Sequence, residues 1–285
     1  MRSLLFVPGD SEKKLAKAQA SGADVLIADL EDSVAAERKP AAREITRAFL
    51  TASAGAVRRF VRVNPLGSGL ILADLAAVVG ARPDGIVLPK AEGGEDIARL
   101  GHYLAVLEAR EGLPESAIAI LPIATETAGA IFALASYTGS SPRLCGVTWG
   151  CEDLAAAVGA ADNRGADAAY LPPFELARSL CLFAAAAAGV AAVDTVFTDF
   201  RDEAGLEREA RAAERCGFTA KMAIHPAQVG AINRAFTPDA AAVSWARKVV
   251  AAFAANPSAG VIGLDGKMLD RPHLRAAERV LARVK

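Results

Sequence analysis

Short apolar runs alternate with amphipathic segments along the whole chain. Segments such as Asp96–Glu108 and Leu206–Arg215 carry apolar residues at helical spacing. The runs between such segments are bounded by glycine, proline or aspartate and have the length of buried strands. Strands that are apolar throughout and separated by helices predict a parallel sheet covered by helices. The eight runs are Leu4–Val7, Val25–Leu30, Phe60–Val63, Gly85–Leu88, Ile118–Ile123, Cys145–Trp149, Val193–Phe197 and Phe218–Ile224.

Eight strand–helix units in succession predict an α/β protein with a (β/α)8 barrel. A doubly wound open sheet is the alternative, but the G-x-G-x-x-G turn that it normally carries does not follow the first run. We expect the barrel to span residues 1–237. Residues 238–285 then form a C-terminal helical extension, with an amphipathic helix over Asp239–Ala255, a break at Asn256–Gly260 and a tail that leads to a last helix. Such a tail has to pack on a barrel mouth, its own or that of an adjacent subunit.

Composition limits the partners of this barrel. Lys plus Arg total 32 and Asp plus Glu total 33, and this balance argues against nucleic-acid binding through phosphate neutralisation. No apolar run approaches the roughly 20 residues that span a bilayer, and Pro8-Gly9 interrupts the first run before a signal-peptide core is complete. The four cysteines show no Cys-x-x-Cys spacing and are predicted to be small core residues in a reducing cytosol. A cytoplasmic protein with no membrane partner is expected.

Polar residues follow most of the predicted strands. In a barrel of this type the carboxyl ends of the strands meet at one rim, where the chemistry takes place. Strands buried on both faces have no packing reason to end repeatedly in charge. The rim residues are Asp29–Asp32, Arg62–Asn64, Lys90, Thr125–Thr127, Glu152–Asp153 and His225.

Two of these carboxylates, Glu126 and Asp153, follow adjacent strands. Converging carboxylates repel each other unless one takes up a proton or a cation neutralises them. Neither His nor Cys is placed to complete a soft-metal site, so a hard cation such as Mg²⁺ is favoured, since one or two carboxylates often suffice to hold it. The alternative is a helix cap or an ion pair with Arg143 or Arg164.

Arg62 is the candidate counter-charge at the rim. Its guanidinium stays protonated and can bind a carboxylate or a developing enolate through paired N–H donors. The structural alternative is an ion pair with Glu31 or Asp32. The two roles are compatible, because a carboxylate often orients a substrate-binding arginine.

The first strand is followed by Pro8-Gly9-Asp10-Ser11 and a helix that carries Lys13 and Lys17 on one face. A helix amino terminus with nearby lysines suits a phosphate group. Taken alone, the two lysines also fit an ordinary solvated surface.

Six motifs, in order over essentially the whole chain, make the sequence resemble the citrate lyase β-subunit-like family, which belongs to the larger group of aldolase and lyase barrels that also holds malyl-CoA lyases. The resemblance implies a (β/α)8 barrel, commonly trimeric, that makes or breaks a carbon–carbon bond next to a CoA or acyl-carrier thioester. The motifs are Arg2–Gly9, Asp29–Val34, Arg62–Asn64, Leu88–Lys90, Glu126–Ala128 and Gly150–Leu154.

The resemblance also implies residue roles. Glu126 and Asp153 would bind Mg²⁺, Arg62 would contact the oxo-acid part of the substrate and act in catalysis, and two lysines would lie near the CoA phosphates. The substrate-binding residues would be Arg62, Glu126, Lys13, Lys17 and Lys90.

The tail Gly266–Asp270 is similar to the carboxy-terminal segment of stand-alone malyl- and citramalyl-CoA lyases. The matching aspartate there is the acid/base residue, delivered from a neighbouring subunit. By this resemblance Asp270 is catalytic, and the protein is a stand-alone CoA enzyme that forms a homotrimer or hexamer.

The sequence therefore predicts a Mg²⁺-dependent carbon–carbon lyase. Its substrate would be a 3-hydroxyacyl-CoA such as malyl-, citramalyl- or citryl-CoA, cleaved to or formed from an acetyl-CoA-type thioester and a 2-oxo acid. One alternative is a metal-dependent aldolase on free 2-oxo acids, which needs neither the lysines nor the tail. The other is a citrate lyase β-type subunit that needs partner proteins and shows no turnover alone.

Overall fold

The computed structural model describes residues 1–52 and 57–284. The chain forms two compact units, Met1–Asn233 and Arg234–Lys285. The first unit thus ends at Asn233, whereas the sequence predicts a barrel up to residue 237.

The first unit is built on eight parallel strands. They are β1 (Ser3–Pro8), β2 (Val25–Asp29), β3 (Arg58–Arg62), β4 (Gly85–Leu88), β5 (Ala119–Pro122), β6 (Gly146–Thr148), β7 (Ala191–Asp194) and β8 (Ala220–Ala223). Their order in the sheet is β5-β4-β3-β2-β1-β8-β7-β6. Parallel bridges from Ile120 to Leu144 and from Ile123 to Thr148 connect β5 to β6. The predicted (β/α)8 barrel is confirmed.

Helices follow the strands and surround the barrel. The predicted helical segments Asp96–Glu108 and Leu206–Arg215 lie inside α4 and α8. The helices are α1 (Glu12–Ala18), α2 (Lys39–Ala52), α3 (Ile71–Val78), α4 (Gly94–Arg110), α5 (Ala128–Ala133), α6 (Cys151–Val158), α7 (Pro172–Ala188), α8 (Glu203–Cys216) and α9 (Gln228–Ala235). Short 3-10 turns lie at Ala36–Arg38, Leu66–Ser68, Val79–Ala81 and Leu134–Tyr137.

Most residues of the barrel strands are buried, which explains why apolar residues dominate these segments. Every residue of β2 and β4 is buried. Burying one large aliphatic side chain contributes about 1.5–3 kcal/mol, so the interior cluster is a main source of stability. This cluster contains Leu4, Val25, Ile27, Phe60, Val87, Leu121, Ile123, Val193, Ala220 and Met222. The seventh strand differs from its prediction, Val193–Phe197, because the chain leaves the sheet at Asp194.

The second unit consists of α10 (Ala240–Ala254), β9 (Val261–Leu264), β10 (Lys267–Asp270) and α11 (Arg271–Ala282). Both helices are predicted by the sequence pattern, but the antiparallel hairpin of β9 and β10 is not. The hairpin turns at Asp265 and Gly266, which both have positive φ, 48° and 75°. Its own small core contains Ala246, Val249, Phe253, Ile262, Leu269 and Ala277.

Two expectations from composition concern membrane-spanning helices and the burial of the cysteines. Among the described residues, no helix has both the length and the apolar character needed to cross a membrane. Cys151 and Cys181 are buried, as predicted, and Cys145 is half-buried, but Cys216 is exposed, so the prediction of a core position is wrong for that residue.

Candidate active site

A cavity of about 350 Å³ opens at the carboxyl ends of the barrel strands. Its apolar wall is formed by Phe6, Ile123, Val196 and Met222. Charged residues at or just after the ends of β2, β3, β5 and β6 surround this wall. They are Asp29, Asp32, Arg62, Glu126, Glu152 and Asp153.

Arg62, at the end of β3, is held by two carboxylates. Its Nε and Nη2 each donate to Asp29 at 2.7 Å, and its Nη1 lies 2.9 Å from Glu31 Oε2. Its guanidinium also lies over the ring of Phe6, with 4.8 Å to the ring centroid. The predicted ion pair with Glu31 is present, whereas Asp32 is 4.0 Å away. The bidentate partner, Asp29, was not predicted.

Asp29 organises the loop after β2 as well as Arg62. Its carboxylate accepts the backbone N–H groups of Glu31 at 2.9 Å and Ser33 at 3.1 Å. Burial alone raises the pKa of Asp29, but the hydrogen bonds and charge of Arg62 outweigh it and hold that pKa below its usual value. Asp29 is therefore an ionised anchor that fixes the direction of the arginine.

Lys90 connects three strands of the rim. Its Nζ donates to Glu31 at 2.6 Å and lies 3.3 Å from Asp153 Oδ1. Its backbone N–H donates to Glu126 at 2.5 Å. This double contact requires a left-handed backbone, φ 50°, which is uncommon for residues other than glycine and is often found at functional sites.

Glu126 lies between two threonines with structural roles. Thr127 caps α5 by accepting the N–H of Ala130, and the Thr125 hydroxyl accepts the N–H of Gly150. A Cβ at Gly150 would lie 2.9 Å from Glu126 Cγ, so the close approach of the two loops requires glycine there. Glu126 is thereby held at the cavity with only 4% exposure.

The surroundings of Glu126 suit a cation. Burial, with a contribution from the charge of Asp153, raises the pKa of Glu126 to about 8. Asp153 lines the same cavity and is about one third exposed. Within residues 1–52 and 57–284, no three His, Cys, Asp or Glu side chains converge on a metal position. A hard cation held by these two carboxylates would take its other ligands from water or substrate oxygens, which is usual for Mg²⁺.

The alternative interpretation, in which Glu126 or Asp153 pairs with Arg143 or Arg164, does not fit the structure. Arg143 forms an ion pair with Glu108 at 2.6 Å, and Arg164 forms one with Glu209 at 2.7 Å.

A groove of about 350 Å³ adjoins the cavity, and Phe6, Pro8 and Ile224 line both. Lys17 and Lys14 of α1 border this groove together with His225. Lys13 is exposed on the same helix but does not line the groove.

Asp270 lies in the second unit, at the end of β10, where it caps α11. Its carboxylate is half exposed and lies 2.5 Å from His273 Nδ1. The hydrogen bond with His273 holds the pKa of Asp270 below its usual value.

Trp149 was predicted only as part of a strand, but it forms a wall of the cavity. Its indole N–H donates to Asp194 at 2.8 Å, and its ring meets Tyr170 edge-on with 5.0 Å between centroids. The sequence signal for this role is its position, directly before the polar Gly150–Asp153 segment.

Asp194 belongs to a second group of charges, buried beneath Trp149. Lys221, with no exposed surface, donates to Asp194 at 2.9 Å, to Glu209 at 2.8 Å and to the carbonyl of Thr195 at 2.8 Å. Arg178 donates to Asp194 at 3.0 Å and 3.2 Å. Despite burial, these cations lower the pKa of Asp194 to about 2.

We name these two groups by location. The rim cluster is Asp29, Glu31, Arg62, Lys90, Glu126 and Asp153. The inner cluster is Arg178, Asp194, Glu209 and Lys221.

Comparison with known proteins shows one consistent relationship. A family model described as HpcH/HpaI aldolase/citrate lyase matches residues 2–226. The mitochondrial citramalyl-CoA lyase of Mus musculus is 34% identical over 294 residues, which cover 98% of this chain and 85% of that protein. The (3S)-malyl-CoA thioesterase of Cereibacter sphaeroides is 36% identical over 288 residues, which cover 99% of this chain and 94% of that protein.

Among solved structures, the crystal structure of CitE from Mycobacterium tuberculosis in complex with magnesium, acetoacetate and coenzyme A is similar to this chain. The two share 36% identity with a TM-score of 0.80, and the match covers 99% of this chain and 97% of that one.

Proposed function

Because the chain belongs to the HpcH/HpaI aldolase/citrate lyase family, we propose that it is a Mg²⁺-dependent lyase that cleaves or forms a 3-hydroxyacyl-CoA. Its products, or substrates in the other direction, are an acetyl-CoA-type thioester and a 2-oxo acid. The observation that carries this proposal is the convergence of Arg62, Lys90, Glu126 and Asp153 around one cavity that continues into a lysine-bordered groove.

Glu126 and Asp153 hold Mg²⁺ in this proposal. When bound, the ion supplies Lewis acidity and a template for the hydroxyl and carboxylate oxygens of the oxo-acid half. The relatives support this assignment, since CitE of Mycobacterium tuberculosis is crystallised with magnesium. The raised pKa of Glu126 fits it too, because a nearby positive charge favours the ionised form of a buried carboxylate.

Arg62 stabilises the charge that develops during cleavage. A base removes the proton of the substrate hydroxyl, the bond between the carbinol carbon and the adjacent carbon breaks, and its electron pair forms the thioester enolate. Protonation of that carbon completes the acyl-CoA product. Fixed N–H donors lower the energy of such an enolate, and Asp29 and Glu31 hold Arg62 ready for this task.

The groove accommodates the CoA part of the substrate. Lys17 contacts a phosphate group from the groove edge, and Lys13 adds positive charge from the same helix. Lys90 approaches the thioester end, where it also neutralises Glu31.

Asp270 is the acid/base group, supplied by a neighbouring subunit of a homotrimer or hexamer. A half-exposed aspartate at a helix amino terminus stays ionised at neutral pH, which suits proton abstraction. The assembly is placed in the cytoplasm, in keeping with four cysteines that form no disulfide.

Replacing Asp270 tests the acid/base role. Asp270→Ala should bind CoA with little loss and slow the chemical step by roughly 10²–10⁴-fold, the usual worth of a positioned acid/base group. Mixing Asp270→Ala with Glu126→Gln subunits should restore partial activity if the aspartate acts on a neighbouring barrel. Full activity of Asp270→Ala would remove this residue from catalysis.

The overall proposal is tested with a panel of malyl-, citramalyl- and citryl-CoA in the presence of Mg²⁺. Release of the 2-oxo acid and release of free CoA thiol are followed separately, because hydrolysis liberates the thiol whereas carbon–carbon cleavage does not. Oxo-acid release that stops on addition of EDTA supports the lyase. Absence of turnover of every thioester by the purified protein would contradict it.

A further inference from the structure

Thr148, the last residue of β6, has a buried hydroxyl that is not hydrogen-bonded. Its Oγ1 finds no partner within residues 1–52 and 57–284. The residue is 1% exposed, yet it lies on the wall of the active-site cavity. A buried hydroxyl without a partner lowers stability, so its retention needs another reason.

The side chains around Thr148 do not supply that reason. Its bridge partner Ile123 carries no hydrogen-bonding side chain, and Val196 and Met222, which line the same cavity, offer none apart from a weakly accepting thioether. A rotation about Cα–Cβ exchanges the hydroxyl and the methyl group between staggered positions. The hydroxyl can therefore reach a polar group seated in the cavity without any movement of the backbone.

The position of Thr148 indicates which part of a ligand it meets. It forms the bridge to Ile123 that connects β6 to β5, and these strands lead to Asp153 and Glu126. The lysine-bordered groove lies instead beside β1 and the loop after β8, and β1 is four positions from β5 in the sheet. A thioester that enters along the groove thus presents its far, oxygen-rich end to Thr148.

We propose that the Thr148 hydroxyl binds the substrate by donating a hydrogen bond to an oxygen of its oxo-acid half. This assignment rests on the proposed lyase function and adds a residue that no sequence pattern singled out. In an apolar wall such a donor is selective, because a ligand that lacks the oxygen leaves the hydroxyl unpaired.

The test uses Thr148→Val, which has the same shape but no hydroxyl, and Thr148→Ser, which keeps the hydroxyl. Binding of pyruvate and of glyoxylate, each with Mg²⁺, and binding of CoA are measured by calorimetry, and thermal unfolding is recorded without ligand. Thr148→Val should bind the oxo acids on the order of tenfold more weakly, the loss expected for one hydrogen bond to a charged group. Its CoA affinity and unfolding temperature should not fall, and Thr148→Ser should stay within about threefold of the native affinity.

A matched control is Thr46→Val, at a buried threonine outside the cavity whose hydroxyl donates to the carbonyl of Gly9. That variant should lose stability and keep its oxo-acid affinity. Native oxo-acid affinity in Thr148→Val, or failure of Thr148→Val to fold, would show that the hydroxyl does not serve the ligand and would overturn the proposal. If the native protein itself neither binds an oxo acid nor cleaves a thioester, the proposed function fails instead, so the two failures are distinguishable.

Discussion

The rim cluster and the inner cluster both combine acidic and basic side chains of the barrel unit, but they differ in what surrounds them. In the inner cluster, Lys221 and Asp194 are fully buried and face each other within hydrogen-bond distance. In the rim cluster, Lys90 and Asp153 are each about one third exposed and line or border a cavity. Lys221 and Asp194 are thus enclosed by protein partners, whereas Lys90 and Asp153 are accessible to a ligand.

The pKa values of two buried carboxylates express this difference. Cations lower the pKa of Asp194 to about 2, whereas burial raises that of Glu126 to about 8. A carboxylate whose charge is balanced by cations of the protein has a structural role. A buried carboxylate that lacks such a cation is suited to bind a positively charged ligand. Charge at a strand end alone does not separate the two cases.

The largest expected effect is the loss of turnover in Glu126→Gln. The amide still accepts the N–H of Lys90 but lacks the charge that holds Mg²⁺ in the proposed site, so kcat/KM should fall roughly 10³-fold, the worth of several kcal/mol of metal assistance. Glu108→Gln is the matched control, at a buried glutamate paired with Arg143. It should lose stability and keep activity. Equal activities of the two variants would remove the distinction between open and closed carboxylates.

Asp194→Asn should cause the largest loss of stability. The substitution removes one of the two carboxylates that pair with the buried ammonium of Lys221, and Arg178 loses the same partner. Breaking such a buried pair lowers the free energy of unfolding by about 3 kcal/mol. Urea unfolding measures the change. In the control Asp265→Asn, the exposed pair with Lys248 should contribute under about 1 kcal/mol. A similarly small loss in Asp194→Asn would show that the inner cluster is not a structural element.

Arg62→Lys should lower kcat/KM by about 10²-fold, because lysine keeps the charge but lacks the planar guanidinium that Asp29 orients and that stabilises the enolate in the proposed mechanism. Arg143→Lys changes an arginine that is bidentate to Glu108 outside the cavity. It should alter stability and leave kcat/KM near the native value. If kcat/KM of Arg62→Lys falls by less than about threefold, Arg62 has a structural role alone.

The smallest expected effect concerns acid stability. The pKa of Asp194 is about 2 in the folded protein against its ordinary value of 3.8. Because the folded value is the lower one, this group stabilises the native state fully above about pH 4, and its contribution of about 2 kcal/mol is lost as the pH falls towards 2. Unfolding free energies measured from pH 5 to pH 2 should fall more steeply in the native protein than in Asp194→Asn. Parallel curves would contradict this linkage.

Much of the fold could be predicted because a barrel strand is buried on both faces. Its apolar run then persists in the sequence, as in Val25–Asp29 and Gly85–Leu88. The hairpin of the second unit was missed because alternate residues such as Val261 and Met268 are exposed and weaken the pattern. The Asp265-Gly266 pair, typical of a tight hairpin turn, was the signal that would have predicted it.

The site was predicted in residue type but not in pairing. Arg62, Lys90, Glu126 and Asp153 meet as expected, since parallel strands end at one rim. Asp29 was not recognised as the partner of Arg62, because that contact depends on the register of β2 against β3, which aligns these two residues. Local sequence contains no information on this register.

The position of the Lys90 ammonium also bears on the order in which the protein folds and binds its metal ion. Its ammonium already stands among Glu31, Asp32 and Asp153, where it reduces the repulsion between these carboxylates as the barrel assembles. Folding therefore does not have to wait for a divalent ion. At the proposed metal site, an arriving Mg²⁺ ion replaces the ammonium of Lys90 beside Asp153, so a newly synthesised chain can take up the ion after it has folded.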